Sequence, residues 1–500
     1  MKLASVILDI PTQALDAPYT YAVPEEAGDQ PIEVGCAVLV PFGPRQAVGF
    51  IIGIEERAEG DWPAGLDPAK LKGIVRAVSR PYFDEEGAAC AQWLSERYIA
   101  PLSSCVRLFT PPGGVPRMVR AQGGYWRLEE PTVGEVDDRW VVPGPALADF
   151  EPRKNAVKQA SIAAALERGE LRVAELTAEF GAVSSPLKAL EKQGVVRIEH
   201  RRRMRGMAEG SAGSAPSADS AAVPSFTPSP KPPLTRGQAD ALAAIDAARS
   251  RGAGEVVLVD GVTGSGKTEV YLQAIEETLA AGRTACVLVP EISLTPQTVA
   301  RFRGRFGDLV AVMHSRMSQG ERYDQWDFIK SGAAKVVVGA RSALFTPAAN
   351  VGLIVIDEEH EGSYKQDSSP RYHARDVAEW MMARAGGALV LGSATPSIES
   401  LYQVNKNPRW TTAALPERAN GRPMPAIEVV DMAAEFASGS RAMFSGRLAR
   451  ALGEELAQGR KAVLLLNQRG FAKFLLCRDC GFVPECPHCS TSLTYHEQGA

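Results

Sequence analysis

Five short apolar runs, "EVVLVDG", "TACVLVP", "KVVVGA", "LIVIDE" and "ALVLGSAT", recur between residues 255 and 395 with helical segments between them. Such runs bury both faces of a strand, and buried strands alternating with helices imply a parallel α/β sheet. Open sheets of this kind bind ligands at the carboxyl ends of their strands. The residues that follow each run are therefore the candidate functional positions.

The rest of the chain is organised around that unit. Its 500 residues exceed a single core, so three or more domains are expected. A hydrophobic content of 45% and a charged content of 23% are those of an ordinary soluble protein. A net charge of −4 excludes a global positive field, so any nucleic-acid surface must be a local patch. No apolar run is long enough to span a membrane, and "MKLASVILDIPTQ" lacks a signal peptide's features, so a cytoplasmic, membrane-free protein is expected. Cys36, Cys90, Cys105 and Cys286 are scattered singly, as reduced and buried thiols would be.

Residues 1–113 alternate short β-rich runs with turns, including a hairpin at "PFGPRQ", and include the helix "DEEGAACAQWLSERYI". Residues 114–205 show three helical rhythms, "NAVKQASIAAALERG", "RVAELTAEFG" and "VSSPLKALEKQG", then the strand-like "VVRIEHRRR". That is the pattern of a winged helix. Its closing basic run, "HRRRMR", leaves two readings open, phosphate contact or a solvated tail. Residues 206–233 are poor in large apolar residues and read as a flexible linker. The α/β unit spans 234–415. A second one starts over 416–476, with a helix at "SGRLARALGEELAQG" and a strand at "KAVLLLNQRGF".

"GVTGSGKT", Gly261 to Thr268, matches the G-x-x-x-x-G-K-[ST] phosphate loop and lies between an apolar run and a helical segment. Gly261, Gly264 and Gly266 let backbone N–H groups wrap phosphate oxygens, and the helix N-terminus adds its dipole. Lys267 is expected to neutralise the terminal phosphates of ATP and Thr268 to ligate Mg2+. Asp357, at the end of "LIVIDE", is the expected second holder of Mg2+. Glu358 is expected to orient or deprotonate the attacking water. Glu359 and His360 complete a D-E-E-H box, with a structural hydrogen bond as the open alternative for His360.

Three more segments fall at strand ends: "PEISLTPQ" (290–297), "GARSALFTP" (339–347) and "GSATPS" (392–397). With the phosphate loop and the acidic box, in this order, they resemble the motif ladder of superfamily 2 helicases. The match of "LTRGQ", "GVTGSGKTEVYLQ", "VGARSALFTP", "VIDEEHEGSYKQDSSPRYHARDVA" and "LNQRGFAKFLLCRDCGFVPECPHC" is closer still: the chain resembles the PriA family, primosomal protein N′. The resemblance spans essentially the whole chain and is weaker over the first two hundred residues.

That resemblance implies a multidomain α/β fold: RecA-like helicase lobes, an N-terminal β-rich DNA-binding domain, a winged helix and a zinc-binding insertion. It implies an ATP-dependent 3′-to-5′ DNA helicase that recognises stalled or forked DNA and promotes reloading of the replicative helicase. Its implied partners are forked and single-stranded DNA, other primosome proteins, single-stranded-DNA-binding protein and a helicase loader, and it would act as a monomer. Gln238 would read the adenine, and His360, Ser393 and Thr395 would couple hydrolysis to DNA. In the loop "SYKQDSSPRYH", Tyr364, Tyr372 and His373 would offer stacking faces and Lys365 and Arg371 phosphate contacts. Packing of those aromatics in the lobe core is the open alternative. Tyr19, Thr20, Gly43 and Lys72 would hold a DNA 3′ end, although Thr20 stands where the pattern often carries an aspartate.

Cys477, Cys480, Cys486 and Cys489 have the donor type and the x2 spacings of Zn2+ ligands. The five residues between the pairs are few for one tetrahedral site. In the family each pair shares its metal with a later pair. A single site assisted by His488 or His496, and unligated thiols, both stay open. The missing later pairs imply a truncated second lobe, in residues 477–500 a partial zinc-binding region, and two functional outcomes: an impaired motor, or a fork-binding scaffold with an incomplete ATPase.

Overall fold

Valine, isoleucine and leucine at successive positions leave a strand no polar face, so the apolar runs settle in the interior of one sheet. The computed structural model describes residues 1–500 except 11, 13–14, 25–29, 59–66, 122, 154, 206–230, 440–441, 466–481 and 484–500, and shows that sheet and three smaller ones.

The N-terminal part comprises β1 (Lys2–Leu8), β2 (Tyr19–Ala22), β3 (Ala37–Phe42), β4 (Arg45–Glu56), β5 (Arg76–Ala77), α1 (Glu85–Tyr98) and α2 (Leu102–Val106). Its strands pair antiparallel in the order β2-β1-β4-β3-β5. β3 and β4 make the expected hairpin, turning at Gly43 with φ 57°. Asp84 starts α1 by accepting a 2.9 Å hydrogen bond from the Gly87 N–H. β1 lies outside the expected strands; pairing along both of its edges buries its apolar residues.

Next come β6 (Arg117–Arg120) and β7 (Trp126–Glu129), an antiparallel hairpin. β8 (Asp137–Pro143), α3 (Val157–Leu166), β9 (Leu171–Arg172), α4 (Val173–Phe180), α5 (Ser184–Lys192) and β10 (Val196–Arg202) follow. The three helices and β10 fall on the segments expected within 114–205, and they enclose a core of Val141, Ile162, Leu166, Leu176, Leu187 and Leu190.

The basic run is a correction. Arg201 pairs with Glu170 and Glu199, Arg203 with Asp138, and Arg202 and Arg205 both reach Asp324, which is fully buried. Arg205 holds that carboxylate through its backbone N–H at 2.8 Å, Nε at 2.7 Å and Nη2 at 2.9 Å. A carboxylate this deep requires such partners, so these arginines fasten the chain internally instead of facing phosphates.

The large unit runs α6 (Arg236–Arg251), β11 (Glu255–Gly261), α7 (Lys267–Ala280), β12 (Thr284–Leu288), α8 (Pro296–Phe306), β13 (Val310–Met313), α9 (Gln319–Lys330), β14 (Val336–Gly339), β15 (Val351–Asp357), α10 (Ala374–Ala385), β16 (Ala388–Ser393), α11 (Ile398–Lys406) and β17 (Trp410–Leu415). Its seven strands are all parallel, in the order β13-β14-β12-β15-β16-β11-β17. Along them Val257, Val259, Val287, Val355 and Val390 enter one core, and Val256, Leu258, Leu288, Ile356 and Leu391 enter another. The second core also contains Phe50, Tyr82, Leu94 and Phe109, so residues 1–113 pack directly on the large unit. Each such buried side chain contributes roughly 2 kcal/mol. Trp93 stacks on Trp380 at 5.4 Å between ring centroids, and Arg384 pairs with Glu86 at the rim.

Residues 423–500 form a separate unit in which α12 (Met432–Ala437) and α13 (Gly446–Ala457) are described. α13 matches the expected helix and is capped by Ser445. The strand expected at "KAVLLLNQRGF" is absent from its described positions, 461–465. A strand needs a hydrogen-bonded neighbour, and none is described there. The rest of that run and all four zinc-type cysteines lie outside the described residues. Cys36, Cys90, Cys105 and Cys286 are buried free thiols, and burial pushes Cys286 up to about 12. No described helix is long and apolar enough to cross a membrane.

Asp324→Ala leaves two guanidinium groups facing an empty site. It is expected to lower the unfolding free energy by about 3 kcal/mol, read as a shift in denaturant midpoint. Arg203→Ala, which removes an exposed pairing, should cost less than about 1 kcal/mol in the same assay.

Candidate functional site

The sheet order makes β15, β16 and β11 neighbours, so the loops after them emerge side by side at one carboxyl edge. These loops carry the D-E-E-H box, "GSATPS" and the phosphate loop. Gly264 and Gly266 adopt φ of 82° and 83°, a left-handed conformation that glycine takes without strain. α7 starts at Lys267, and Gly266 gives it no side-chain cap, so the first N–H groups of the helix stay available to an anion. Ser265 Oγ is buried in the loop without a hydrogen-bond partner, and Lys267 Nζ donates to the Gly261 carbonyl at 2.8 Å. An uncapped helix end, an orphaned hydroxyl and a buried ammonium fit a nucleotide's phosphates.

Gln238 lies against the phosphate loop. Its Nε2 donates to the Ser265 carbonyl at 2.8 Å and its Oε1 accepts from the Thr235 N–H at 2.9 Å. A Cβ on Gly266 would collide with that amide. With each end of its amide engaged once and the side chain buried, Gln238 braces the phosphate loop in this structure.

Tyr271, one turn beyond Thr268 on α7, donates to Asp357 Oδ1 at 3.2 Å. This ties the start of α7 to the acidic box. Burial, then the charge of Glu358, pushes the Asp357 carboxyl above the usual carboxylate range, and the Lys267 charge offsets part of the rise. Glu358 takes φ 48°, uncommon for a residue other than glycine, and its side chain is about one-third exposed at 34%.

His360, Ser393 and Thr395 are brought together as expected. His360 Nδ1 lies 2.7 Å from Ser393 Oγ, which accepts the Thr395 N–H at 3.0 Å. Glu359 points the other way and is buried. It accepts from the Ser397 N–H at 2.6 Å and from the Ser397 and Ser400 hydroxyls at 3.0 and 2.8 Å, fastening β15 to the start of α11.

The aromatic loop is a second correction. Tyr364 and Tyr372 are each 1% exposed, so neither offers a stacking face. The Tyr364 hydroxyl lies 2.6 Å from the Asp357 carbonyl, and the Tyr372 ring meets Phe345 edge-on at 5.0 Å. His373 caps α10, its Nδ1 accepting the Arg375 N–H at 3.2 Å, and burial with the Arg375 charge pushes the imidazole below its usual range. Lys365 and Arg371 remain exposed. Arg341, which the sequence reading passes over, holds the loop by donating to the Ser363 carbonyl at 2.9 Å and to Gln366 Oε1 at 3.0 Å. The signal for it was its position at a strand end in "GARSALFTP".

In the N-terminal part, Tyr19 and Thr20 lie on β2, the Lys72 carbonyl accepts the Ala22 N–H at 2.9 Å, and Tyr19 meets Phe42 at 5.6 Å beside Gly43. Lys72 is thus bonded to the far end of the strand that carries Tyr19 and Thr20, and Tyr19 reaches the residue before Gly43. Open space lies where a Cβ on Gly43 would stand. Among the described residues no cluster of three or more His, Cys, Asp or Glu is arranged to hold a metal.

A family profile described as "3'DNA-binding domain (3'BD)" matches residues 5–111, and one described as "DEAD/DEAH box helicase" matches residues 235–404. Replication restart protein PriA of Bacillus subtilis is 36% identical, covering 100% of this chain and 66% of that protein. The protein of the same name from Synechocystis is 35% identical, with 99% and 64% covered, and that of Haemophilus influenzae 33%, with 99% and 63%. The chain thus spans slightly under two-thirds of the length of these relatives. Among solved structures, RecG bound to a three-way DNA junction gives a TM-score of 0.28 at 22% identity, covering 38% of this chain and 25% of that one. The Pyrococcus furiosus Hef helicase domain gives 0.28 at 19%, covering 43% and 54%. Scores this low carry no argument.

Gly392→Ala would drive its new methyl into the Tyr271 hydroxyl. It is expected to lower stability by about 2–3 kcal/mol. Tyr271→Phe in the same chain removes the closer of the two colliding atoms, so the double variant should unfold later than Gly392→Ala alone. Denaturant midpoints of the three variants check this non-additivity.

Proposed function

The chain belongs to the PriA family of replication restart proteins, and from that premise we propose that it is an ATP-driven DNA motor acting at stalled or forked DNA, moving 3′ to 5′. The observation that carries this reading is the convergence of the phosphate loop, Asp357, Glu358 and the His360–Ser393–Thr395 chain at adjacent strand ends of one sheet. ATP would supply the cleavable anhydride, and Mg2+ would offset the charge of its phosphates.

Around it the chain's own groups divide the work. The loop N–H groups and the free end of α7 hold phosphate oxygens, and Lys267 leaves the Gly261 carbonyl to neutralise them. Thr268 and Asp357 hold the cation. Glu358 takes a proton from the attacking water. Ser393, shared by His360 and the Thr395 N–H, is the joint through which a change at the acidic box reaches the loop after β16. Tyr19, Thr20, Gly43 and Lys72 receive a DNA 3′ end. The α3–α5 unit with its three-stranded sheet is read as a winged helix, and Cys477, Cys480, Cys486 and Cys489 as zinc ligands. Primosome proteins, single-stranded-DNA-binding protein and a helicase loader are the partners this reading implies.

ATP hydrolysis by the 500-residue chain, with and without forked DNA, tests the motor. Stimulation by DNA is expected, with turnover falling by at least about 100-fold in Lys267→Ala. Nucleotide binding with no DNA-stimulated turnover would instead leave a fork-binding scaffold.

A further inference from the structure

Most arginines around the domain junctions are engaged by carboxylates, as the fate of Arg201, Arg202, Arg203 and Arg205 shows. The tip of the β6–β7 hairpin is different. Tyr125 is 64% exposed and Trp126 41%, although aromatic rings gain by leaving water. The Arg45 guanidinium lies over the Trp126 ring, 4.6 Å from its centroid. Arg120, directly across the ladder from Trp126, reaches only the Gly124 carbonyl, at 3.4 Å. Among the described residues no carboxylate pairs with Arg45 or Arg120, and the nearest acid to Arg127 is Glu129 at 3.7 Å. Two exposed rings and three weakly engaged guanidiniums therefore share one tip.

The tip is also firmly held. Met118 and Leu128, opposite each other in the hairpin, pack against the core shared by the N-terminal part and the large unit. Arg45 opens β4 two residues after Gly43, so the Arg45–Trp126 contact joins the tip to the turn of the 3′-end pocket. The hairpin lies beyond the matched 3′DNA-binding profile, which ends at residue 111.

We propose that this tip is a platform for single-stranded DNA running on from the 3′-end pocket, with Tyr125 and Trp126 stacking bases and Arg45, Arg120 and Arg127 meeting phosphates. The inference rests on reading the N-terminal part as a DNA-end-binding domain. Aromatic faces select an unpaired strand because duplex bases are already stacked, and a cation already over one ring strengthens its hold on a base or phosphate. The arginines supply the salt-dependent part of the affinity.

Fluorescence anisotropy of the full chain with a labelled single-stranded oligonucleotide ending in a free 3′ hydroxyl tests the platform. Tyr125→Ala is expected to weaken binding about tenfold and Tyr125→Trp to retain it. Arg127→Gln and Arg45→Gln should each weaken binding severalfold and reduce the slope of log K against log salt by about 0.7. All four substitutions should leave the denaturant midpoint in place. Variants that keep wild-type affinity and salt slope would overturn the platform alone. So would an equal loss of affinity on blunt duplex, which has no free base faces. A wild-type chain that binds no DNA would overturn both the platform and the domain reading beneath it.

Discussion

The strict alternation of apolar side chains along β11, β12, β15 and β16 underlies the rest of the molecule. Odd and even positions enter two different cores, so each strand is buried on both faces and cannot shift by one residue without exchanging them. That constraint sets which strand ends are level with each other, and so which loops meet. One of the two cores is completed by Phe50, Tyr82, Leu94 and Phe109. The N-terminal part is thus fixed to the same sheet that places the phosphate loop.

Between the strand ends, order is maintained by buried polar groups that are hydrogen-bonded. Gln238 bridges Thr235 and Ser265, Glu359 accepts three hydrogen bonds, and Tyr271 holds Asp357 across the gap between α7 and β15. Each is buried or nearly so, where an unpaired polar atom costs more than in water. The exception is Ser265 Oγ, a buried loop hydroxyl without a partner, and it lies where phosphate oxygens are expected. Satisfied scaffolding around an unsatisfied centre is the pattern of a preorganised anion site.

What was legible in the sequence follows the same division. The phosphate loop, the acidic box and the helices of 114–205 depend on local spacing, and each appears where its motif or rhythm lies. β13 and β17 were not legible: "VAVM" is short, and "WTTAAL" alternates burial along an edge, so neither stands out as an apolar run. The partners of a polar side chain are less legible still. Gln238, Tyr364 and the arginines of "HRRRMR" have the composition of ligand contacts, and only tertiary proximity to Ser265, Asp357 and Asp324 gives them structural tasks. The hairpin tip is illegible for the converse reason, since nothing in "YWR" says that its rings stay exposed or that the Arg45 guanidinium lies over Trp126.

The buried position of Tyr364 changes how the aromatic loop has to be understood. It is pinned at one end to the Asp357 carbonyl and at the other to α1, where Tyr98 donates to Asp376 at 3.1 Å and accepts the His373 N–H at 3.2 Å. Arg341 holds its middle. A loop fastened at three points does not swing freely, so any state that bares Tyr364 or Tyr372 must break the Arg341 or Tyr98 contacts. Because Tyr98 belongs to α1, whose Trp93 stacks on Trp380, those contacts are also part of the junction between the N-terminal part and the large unit. Contiguity alone does not carry coupling, which needs an element with two arrangements. This loop is the segment where one rearrangement would touch both Asp357 and the N-terminal junction.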